Sequence, residues 1–210
     1  MTQVHHLGII PDGGRRWAKI HGVSLVQSYR LSMARLCEAA RELFQHGVQT
    51  ISIYLLSKAN LRRPVSEIDS IGLASADLLT GLRRLGPTIA VAGDLSLVGE
   101  NLWENVRRAI VAEPTISRRI NLCIAYDPAD EIRSASQVVG SGDVLDHLWV
   151  TTPIDLVVRT GDAQTLSNFL PLQCAYARIV FRSELFNDLS LEQLMSEVRH
   201  HEGQELLYGE

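Results

Sequence analysis

The stretch PDGGRRW, residues 11–17, places an acid, two glycines and two arginines directly after an apolar run. Glycines let backbone N–H groups approach an anion closely, and a helix that starts just afterwards offers its positive end. Arg15 and Arg16 add charge-assisted hydrogen bonds suited to phosphate oxygens. Asp12 fits among these anion binders if it holds Mg²⁺, because that ion bridges carboxylates and phosphates. The stretch indicates a site for a phosphorylated ligand, the alternative being a turn with solvated charges.

Two further loops carry side chains of the same kinds. SKANLRRP, residues 57–64, and RTGDAQTLSNF, residues 159–169, each stand at the end of a strand-like apolar run. Their candidate ligand-binding residues are Ser57, Asn60, Arg62, Arg63, Arg159, Thr160, Gly161 and Ser167. If the three loops reach one place, their arginines predict a diphosphate site.

Six apolar runs predict the strands that would bring the loops together. They are residues 7–10, 50–56, 88–93, 120–126, 154–161 and 177–182. Helical spacing predicts helices over residues 31–47, 66–85, 102–111, 130–139 and 190–207. Ser66 is the expected N-cap of the second of these helices, and Gly47 the C-cap signal of the first.

Strand–helix alternation with uniformly apolar strands predicts the fold class. It is typical of an α/β protein with a central, mostly parallel sheet flanked by helices. No repeat, linker or low-complexity segment divides the chain, so we expect one domain over residues 1–210. Ligands of such folds bind beyond the carboxyl ends of the strands. Asp12, Ser57 and Arg159 each follow or end a predicted strand, so they are expected to line one cleft.

The composition excludes several classes of protein. Among the 210 residues, no apolar run approaches the roughly 20 residues needed to span a bilayer. The net charge of −4 at pH 7 disfavours a nucleic-acid-binding protein, which normally carries a basic excess. We see no signal peptide. The 3 cysteines match neither a disulfide framework nor a zinc site, which favours the cytoplasm.

Three motifs together resemble the cis-prenyltransferase family of the undecaprenyl diphosphate synthase type. PDGGRRWAK resembles the family's opening D-G-N-G-R-W-A signature, SKANLRRP its second-strand loop, and IDLVVRTGDAQTLSNFLPLQCAY its late block. They stand in the family's order over nearly the whole chain. The resemblance implies an apolar substrate tunnel, a homodimer, and a Mg²⁺-dependent enzyme. Such an enzyme ionises an allylic diphosphate and joins it to a second, homoallylic one, usually isopentenyl diphosphate.

Position by position, the resemblance implies roles for the polar residues. Asp12 matches the metal-binding aspartate, and with Arg16 and Asn60 it would carry the catalysis. The residues implied to bind diphosphate are Gly13, Gly14, Arg15, Arg16, Ser57, Arg63, Arg159, Ser167 and Arg178.

The second diphosphate site departs from the family pattern. Thr165 stands where the family has an arginine, and Arg178 where it has a glutamate. Replacing arginine by threonine removes a charged hydrogen bond worth on the order of 1.5–3 kcal/mol. If Arg178 reaches the same anion it would partly compensate, so the site is expected to be either rewired or weakened.

The first site departs from the pattern in another way. Gly14 and Arg15 replace an asparagine and a glycine, and Leu25 and Tyr29 replace an arginine and a histidine. These changes resemble the cyclolavandulyl and isosesquilavandulyl diphosphate synthases, with their D-G-M-R-R-W opening and GVSL…Y continuation. That branch makes short, irregular products by head-to-middle coupling, sometimes with cyclisation. Leu55, bulky where long-chain synthases have alanine, fits a shallow tunnel or equally a packed core.

The expected substrates are therefore short allylic diphosphates of C5–C15: dimethylallyl, geranyl or farnesyl diphosphate. A transferase that couples two diphosphates is favoured, because Arg159 and Ser167 are retained. A terpene cyclase that needs a single diphosphate remains the alternative. A non-catalytic partner subunit is a third possibility, although such subunits typically lack the metal aspartate, which is present as Asp12.

Two other polar features are interpreted as structural. The acidic turn YDPADE, residues 126–131, would begin a helix, because early acids suit the helix dipole. The adjacent pairs His5–His6 and His200–His201 would point apart on a strand or a helix and make poor joint metal ligands.

Overall fold

The strands follow the predicted runs closely. The structure is a computed structural model that describes residues 3–110, 114–140 and 142–204. Its strands are β1 (His6–Ile10), β2 (Thr50–Ser57), β3 (Thr88–Ala92), β4 (Arg119–Tyr126), β5 (Leu156–Arg159) and β6 (Arg178–Phe181). They form one sheet in the order β3-β4-β2-β1-β5-β6, and every neighbouring pair is parallel. The predicted α/β class with a central parallel sheet is confirmed.

Helices connect successive strands, except between β5 and β6, where residues 160–177 form a loop. The helices are α1 (Gly14–His21), α2 (Leu25–His46), α3 (Val65–Leu85), α4 (Glu100–Ile110), α5 (Pro128–Val138) and α6 (Leu191–Glu202). Among the described residues there are three 3₁₀ helices: Lys58–Arg62 directly after β2, Leu95–Leu97 and Val144–His147. Of the predicted helices, Val111 and residues 205–207 lie outside the described part of the chain. No helix within the described ranges combines the length and hydropathy needed to cross a bilayer.

The helix ends show where sequence signals were decisive. Gly47 ends α2 in a left-handed conformation with φ 115°, as predicted, and its N–H bonds to Leu43 O and Phe44 O. Ser66 is not an N-cap, because α3 already begins at Val65 after Pro64. α2 begins at Leu25, earlier than expected, because Ser24 and Gln27 form a capping box.

Both faces of the sheet are buried. Leu7 and Ile9 of β1 face the larger core, to which α2, α3, α4 and α6 contribute. Ile10 of β1 and Val157 of β5 face a second core that includes Phe169. Alternate strand residues therefore enter different cores, which explains why the strands are almost uniformly apolar.

Candidate functional site

A cavity of about 580 Å³ lies at the carboxyl edge of the sheet, beside the ends of β1, β2 and β5. Parallel pairing places Ile10 beside Arg159, so the loops that follow β1 and β5 start together. The predicted site residues that line the cavity are Asp12, Gly13, Gly14, Arg15, Arg16, Ser57, Asn60, Arg63, Arg159 and Ser167. The structure thus brings together residues from all three loops.

Arg178 is the exception. It pairs with Leu156 at the start of β5, three residues before Arg159, so it lies on the order of 10 Å away, towards the opposite edge of the sheet. Its guanidinium donates to Gln204 Oε1 at 3.1 Å. The expectation that Arg178 joins the diphosphate site is not met within one chain, because a residue that opens a parallel strand cannot sit at its carboxyl end.

Asp12 is held between two arginines. Arg159 Nη2 donates to Asp12 Oδ2 at 2.9 Å, and Arg16 Nη2 lies 3.7 Å from Oδ1. The backbone of Asp12 is fixed as well, because its N–H donates to Thr160 Oγ1 and its carbonyl accepts from the same hydroxyl. Arg16 also donates to Gly161 O at 2.6 Å. Asp12 and Arg16 are therefore positioned by the loop that follows β5.

A second carboxylate, that of Glu67, pairs with the arginines on the other side of the cavity. Glu67 Oε1 accepts from Arg63 Nη1 at 3.0 Å and lies 3.6 Å from Arg15 Nε. Tyr29 donates its hydroxyl to the same oxygen at 3.5 Å. Burial and the charge of Glu67 raise the pKa of Tyr29, which keeps its hydroxyl protonated and able to donate.

Glu67 and Lys19 are functional candidates that sequence reasoning missed. Lys19 lines the cavity, and Glu67 stands directly behind two lining arginines. Helical spacing contained a signal for both. Lys19 follows Arg15 by four residues on α1, a distance at which side chains meet on one face, and Glu67 follows Arg63 by four residues across the start of α3.

Ser57 and Asn60 perform a structural task at the cavity wall. Asn60 N donates to Ser57 Oγ at 3.1 Å, and the Asn60 side chain accepts from Ser57 N at 3.4 Å. This capping box holds the 3₁₀ turn that carries Arg63 towards the cavity.

Gly13 shapes the entrance to α1. Its φ of 109° is a left-handed conformation, and an added Cβ would meet Leu185 Cδ2 at 2.7 Å. As N-cap it begins α1 at the cavity wall, and the first N–H groups of a helix have no intrahelical partner and can bind an anion.

The loop over residues 161–170 is bent sharply around Arg159. Four of its non-glycine residues have positive φ, namely Asp162, Ser167, Asn168 and Leu170. Arg159 Nη1 donates to Thr165 O at 2.6 Å and to Ser167 Oγ at 2.7 Å. Its buried Nε has no hydrogen-bond partner among the described residues. Backbone strain of this kind concentrates at ligand sites.

The deeper part of the cavity is apolar. It is lined by Met33, Leu36, Leu55, Leu56 and Ile71. A register shift between β2 and β4 falls at Leu55, so consecutive residues of β2 reach the same cavity instead of alternating between faces. One cavity thus joins a charged mouth to an apolar floor.

The charge of the mouth suits an anion. Five cationic side chains line it, those of Arg15, Arg16, Lys19, Arg63 and Arg159. Against them stand the carboxylates of Asp12 and Glu67. The positive excess, with the free N–H groups at the start of α1, fits a multiply charged phosphate group.

The oxygen donors at the cavity fit a metal ion that is shared with a ligand. In the described ranges, no group of three or more His, Cys, Asp or Glu side chains could hold one. Asp12 is the one carboxylate lining the cavity there, and its side chain is 37% exposed. Mg²⁺ is often held by one or two carboxylates together with substrate phosphates and water. Asp12 therefore fits an ion that is shared with a bound diphosphate.

The acidic turn at residues 126–131 has the structural role expected of it. Asp127 caps α5 by accepting from Ala129 N. Asp130 pairs with Lys58 and Arg133. Glu131 is buried and accepts from Tyr126 Oη at 2.5 Å. These carboxylates are engaged with the protein itself.

Curated relatives match the chain over its full length. An isoprenyl transferase of Campylobacter jejuni (strain RM1221) is 27% identical over 223 residues, which cover 100% of both chains. An isoprenyl transferase of Rickettsia sibirica is 28% identical over 225 residues, which cover 100% of this chain and 99% of the relative.

Two solved structures share the fold. A probable undecaprenyl diphosphate synthase from Campylobacter jejuni has a TM-score of 0.77 and 26% identity over 98% of each chain. A lavandulyl diphosphate synthase from Lavandula x intermedia, in complex with dimethylallyl diphosphate, has a TM-score of 0.87 over 97% of each chain. At 23% identity, the second likeness concerns the fold alone.

The family model described as "Putative undecaprenyl diphosphate synthase" matches residues 10–209, from the end of β1 to beyond α6. The match includes every loop that lines the cavity. This protein is a prenyltransferase and belongs to that family, the cis-prenyltransferases.

Proposed function

We propose that this prenyltransferase ionises a short allylic diphosphate of C5–C15 with the help of Mg²⁺ and couples it to a second prenyl diphosphate. The product would be short and irregular, formed by head-to-middle coupling and in some cases cyclised. The observation that carries the proposal is that one cavity of about 580 Å³ is lined by five cationic side chains and by a group of apolar ones. A diphosphate with a short hydrocarbon tail has the same two parts.

The mouth would stabilise the leaving group. When the allylic C–O bond breaks, both electrons leave with the diphosphate, and its growing charge faces Arg16, Arg63 and the N–H groups at Gly13. Mg²⁺ on Asp12 would add charge neutralisation when bound. Asp12 is set for this by its bonds to Arg159 and Thr160. A new C–C bond then forms, and inorganic diphosphate and a proton are released.

The floor would protect the carbocation and limit the length of the tail. Met33, Leu36 and Ile71 exclude water there, which prevents hydrolysis of a reactive cation. Leu55 enters the cavity at the register shift of β2, so its bulk is available to restrict chain length.

The second diphosphate would bind at Arg159 and Ser167, both of which line the cavity. One observation favours the alternative, a terpene cyclase that uses one diphosphate. Arg159 Nη1 is already satisfied by Thr165 O and Ser167 Oγ, and Arg178 lies near the far edge of the sheet. Coupling remains our proposal because Arg159 and Ser167 both line the cavity that holds the proposed allylic site.

Product analysis separates these functions by carbon count. The purified protein is incubated with dimethylallyl, geranyl or farnesyl diphosphate, each with and without isopentenyl diphosphate, in Mg²⁺ or in EDTA. Mass spectrometry of a coupled product gives the sum of two substrates' carbon atoms, whereas a cyclised product keeps the carbon count of one. Coupling that stops in EDTA supports the proposal. Substrates left unconsumed, as by a non-catalytic partner subunit, would refute it.

Asp12→Ala tests whether the cavity is the site of reaction. We expect it to abolish turnover, because the position proposed for Mg²⁺ is lost. Asp162→Asn is a matched control, since Asp162 is exposed and lies outside the cavity lining. Equal activity of Asp12→Ala and the unaltered protein would contradict the proposal. Size-exclusion chromatography with light scattering would test the expected homodimer.

A further inference from the structure

Each of the two carboxylates at the cavity contacts two arginines, and the two sets do not overlap. They are Arg16 and Arg159 for Asp12, and Arg15 and Arg63 for Glu67. Arg15 and Arg16 are adjacent in sequence, yet α1 directs them to opposite carboxylates. Asp12 faces the cavity, whereas Glu67 stands behind its arginines and its side chain is only 9% exposed.

We propose that Glu67 is a positioning residue whose charge competes with diphosphate for Arg15 and Arg63, so that the inorganic diphosphate product can leave. This inference rests on the proposed function, because it takes diphosphate as the ligand of the mouth. Glu67 does not line the cavity, so its carboxylate does not contact the reacting atoms. Its effect on the ligand would pass through the two arginines and through Tyr29.

The contacts of Glu67 explain how it could compete. Its Oε1 accepts from Arg63 at 3.0 Å and lies 3.6 Å from Arg15, so both guanidinium groups are partly neutralised before a ligand arrives. A largely buried carboxylate is screened by salt much less than an exposed one. A diphosphate that binds Arg15 and Arg63 is therefore repelled by the carboxylate of Glu67, which lies a few ångströms behind them, and this repulsion weakens its binding.

Such competition is useful in this reaction. A mouth of five cations would hold the product diphosphate tightly, and product release limits turnover in many enzymes. Binding energy that is equal for substrate and transition state does not raise kcat. A fixed carboxylate weakens anion binding at Arg15 and Arg63, while the charge that develops on C–O cleavage still meets Arg16, which contacts Asp12 and not Glu67.

Titration calorimetry with inorganic diphosphate and Mg²⁺ tests the inference. Glu67→Gln keeps the size and the hydrogen-bond acceptor but removes the charge, so we expect it to bind diphosphate about fivefold more tightly. Asp69→Asn is the matched control, because it removes the same charge from an exposed position on the same helix. Its affinity should stay within about twofold of the unaltered protein, because exposed charges are screened.

Steady-state kinetics supplies a second readout. In Glu67→Gln, kcat and the KM of the allylic substrate should both fall, and inhibition by product diphosphate should strengthen by the same factor as binding. If Glu67 only supports the structure, the loss of its ion pairs would instead weaken diphosphate binding. Glu67→Ala carries the same expectation of tighter binding, and serves if circular dichroism shows that the glutamine variant does not fold.

The outcomes separate this inference from the proposed function. If the unaltered protein turns over and binds diphosphate, but neither Glu67 variant binds it more tightly, the role of Glu67 is refuted alone. Equal tightening in Asp69→Asn would also refute it, because net charge would then explain the result. If the unaltered protein binds no diphosphate and consumes no prenyl diphosphate, the proposed function fails and this inference fails with it.

Discussion

The polar side chains at the carboxyl ends of β1 and β5 have a different role from those at the amino ends. At the carboxyl end, Asp12 and Arg159 line a cavity and pair with each other, beside a loop with four non-glycine residues at positive φ. At the amino end, His6 is buried and bonds to Ser52 Oγ at 2.8 Å and to Pro153 O at 3.0 Å. The same two strands therefore support a ligand site at one end and a structural network at the other.

At the amino end of the sheet, the polar groups bond to the protein itself and hold the strands together. Asp155 accepts the backbone N–H groups of His5 and His6 at 2.8 Å each, and so ties β1 to the segment before β5. Burial lowers the pKa of His6 to about 4 and also lowers the pKa of His201. Both rings are thus neutral near pH 7, which suits their burial in the protein interior.

The largest expected effect is at the carboxyl edge. Asp12→Asn should lower kcat by about 10²–10³-fold, a loss comparable to removing one donor from a preorganised charge-stabilising site. The thermal midpoint should change little, because asparagine still accepts from Arg159. Steady-state assays and thermal unfolding of the same sample measure both. A large drop in the melting temperature with unchanged kcat would show that Asp12 has a structural role and not a catalytic one.

At the amino edge of the sheet, the expected effect is a dependence of the unfolding free energy on pH. His6 has a pKa near 6.5 when unfolded and about 4 when folded, so between these values the unfolded state binds the proton more readily. The unfolding free energy should fall by about 3 kcal/mol as the pH drops from 6.5 to 4. His201 contributes in the same direction. Denaturant unfolding at a series of pH values would show the loss.

His6→Gln is the variant that isolates this effect. Glutamine does not titrate, so the pH dependence of unfolding should flatten while kcat at pH 7.5 is retained. The hydrogen bond to Ser52 would be kept at least in part. A pH dependence as steep as that of the unaltered protein would show that His6 is not its source.

Thr165→Arg would sharpen the account of the second diphosphate. Thr165 is exposed beside Ser167, so an arginine has room there. We expect the KM of the second substrate to fall by about tenfold or more, since a hydrogen bond to a charged group contributes about 1.5–3 kcal/mol. The KM of the allylic substrate should not change. Equal changes for both substrates would argue against two separate diphosphate positions.

Leu55→Ala should have the smallest effect on rate and a visible effect on product. Leu55 is half-buried at the cavity, so its truncation enlarges the floor and should shift preference by a few-fold towards the longer allylic substrate. Ile53→Ala is the control, because Ile53 is fully buried outside the cavity and should cost about 2–5 kcal/mol of stability. An unchanged product distribution in Leu55→Ala would leave the floor without a role in chain length.

Local signals predicted much of this molecule. Apolar runs located all six strands, because a strand buried on both faces has few polar positions. The end of α2 at Gly47 also followed from sequence, since a left-handed residue is easiest for glycine. The predicted start of α3 was wrong. That helix begins after Pro64 and the turn before it, and not at a capping serine.

The parallel α/β class, the family and most of the residues around the cavity were predictable from local patterns, because strand ends and glycine turns are local properties of the chain. Mg²⁺ dependence, the homodimer, the cytoplasmic location and the product length remain predictions. The position of Arg178 away from the cavity and that of Glu67 behind Arg15 and Arg63 became visible only in the folded arrangement. Those outcomes depend on strand register and on the approach of α1 to α3, which no short stretch of sequence encodes.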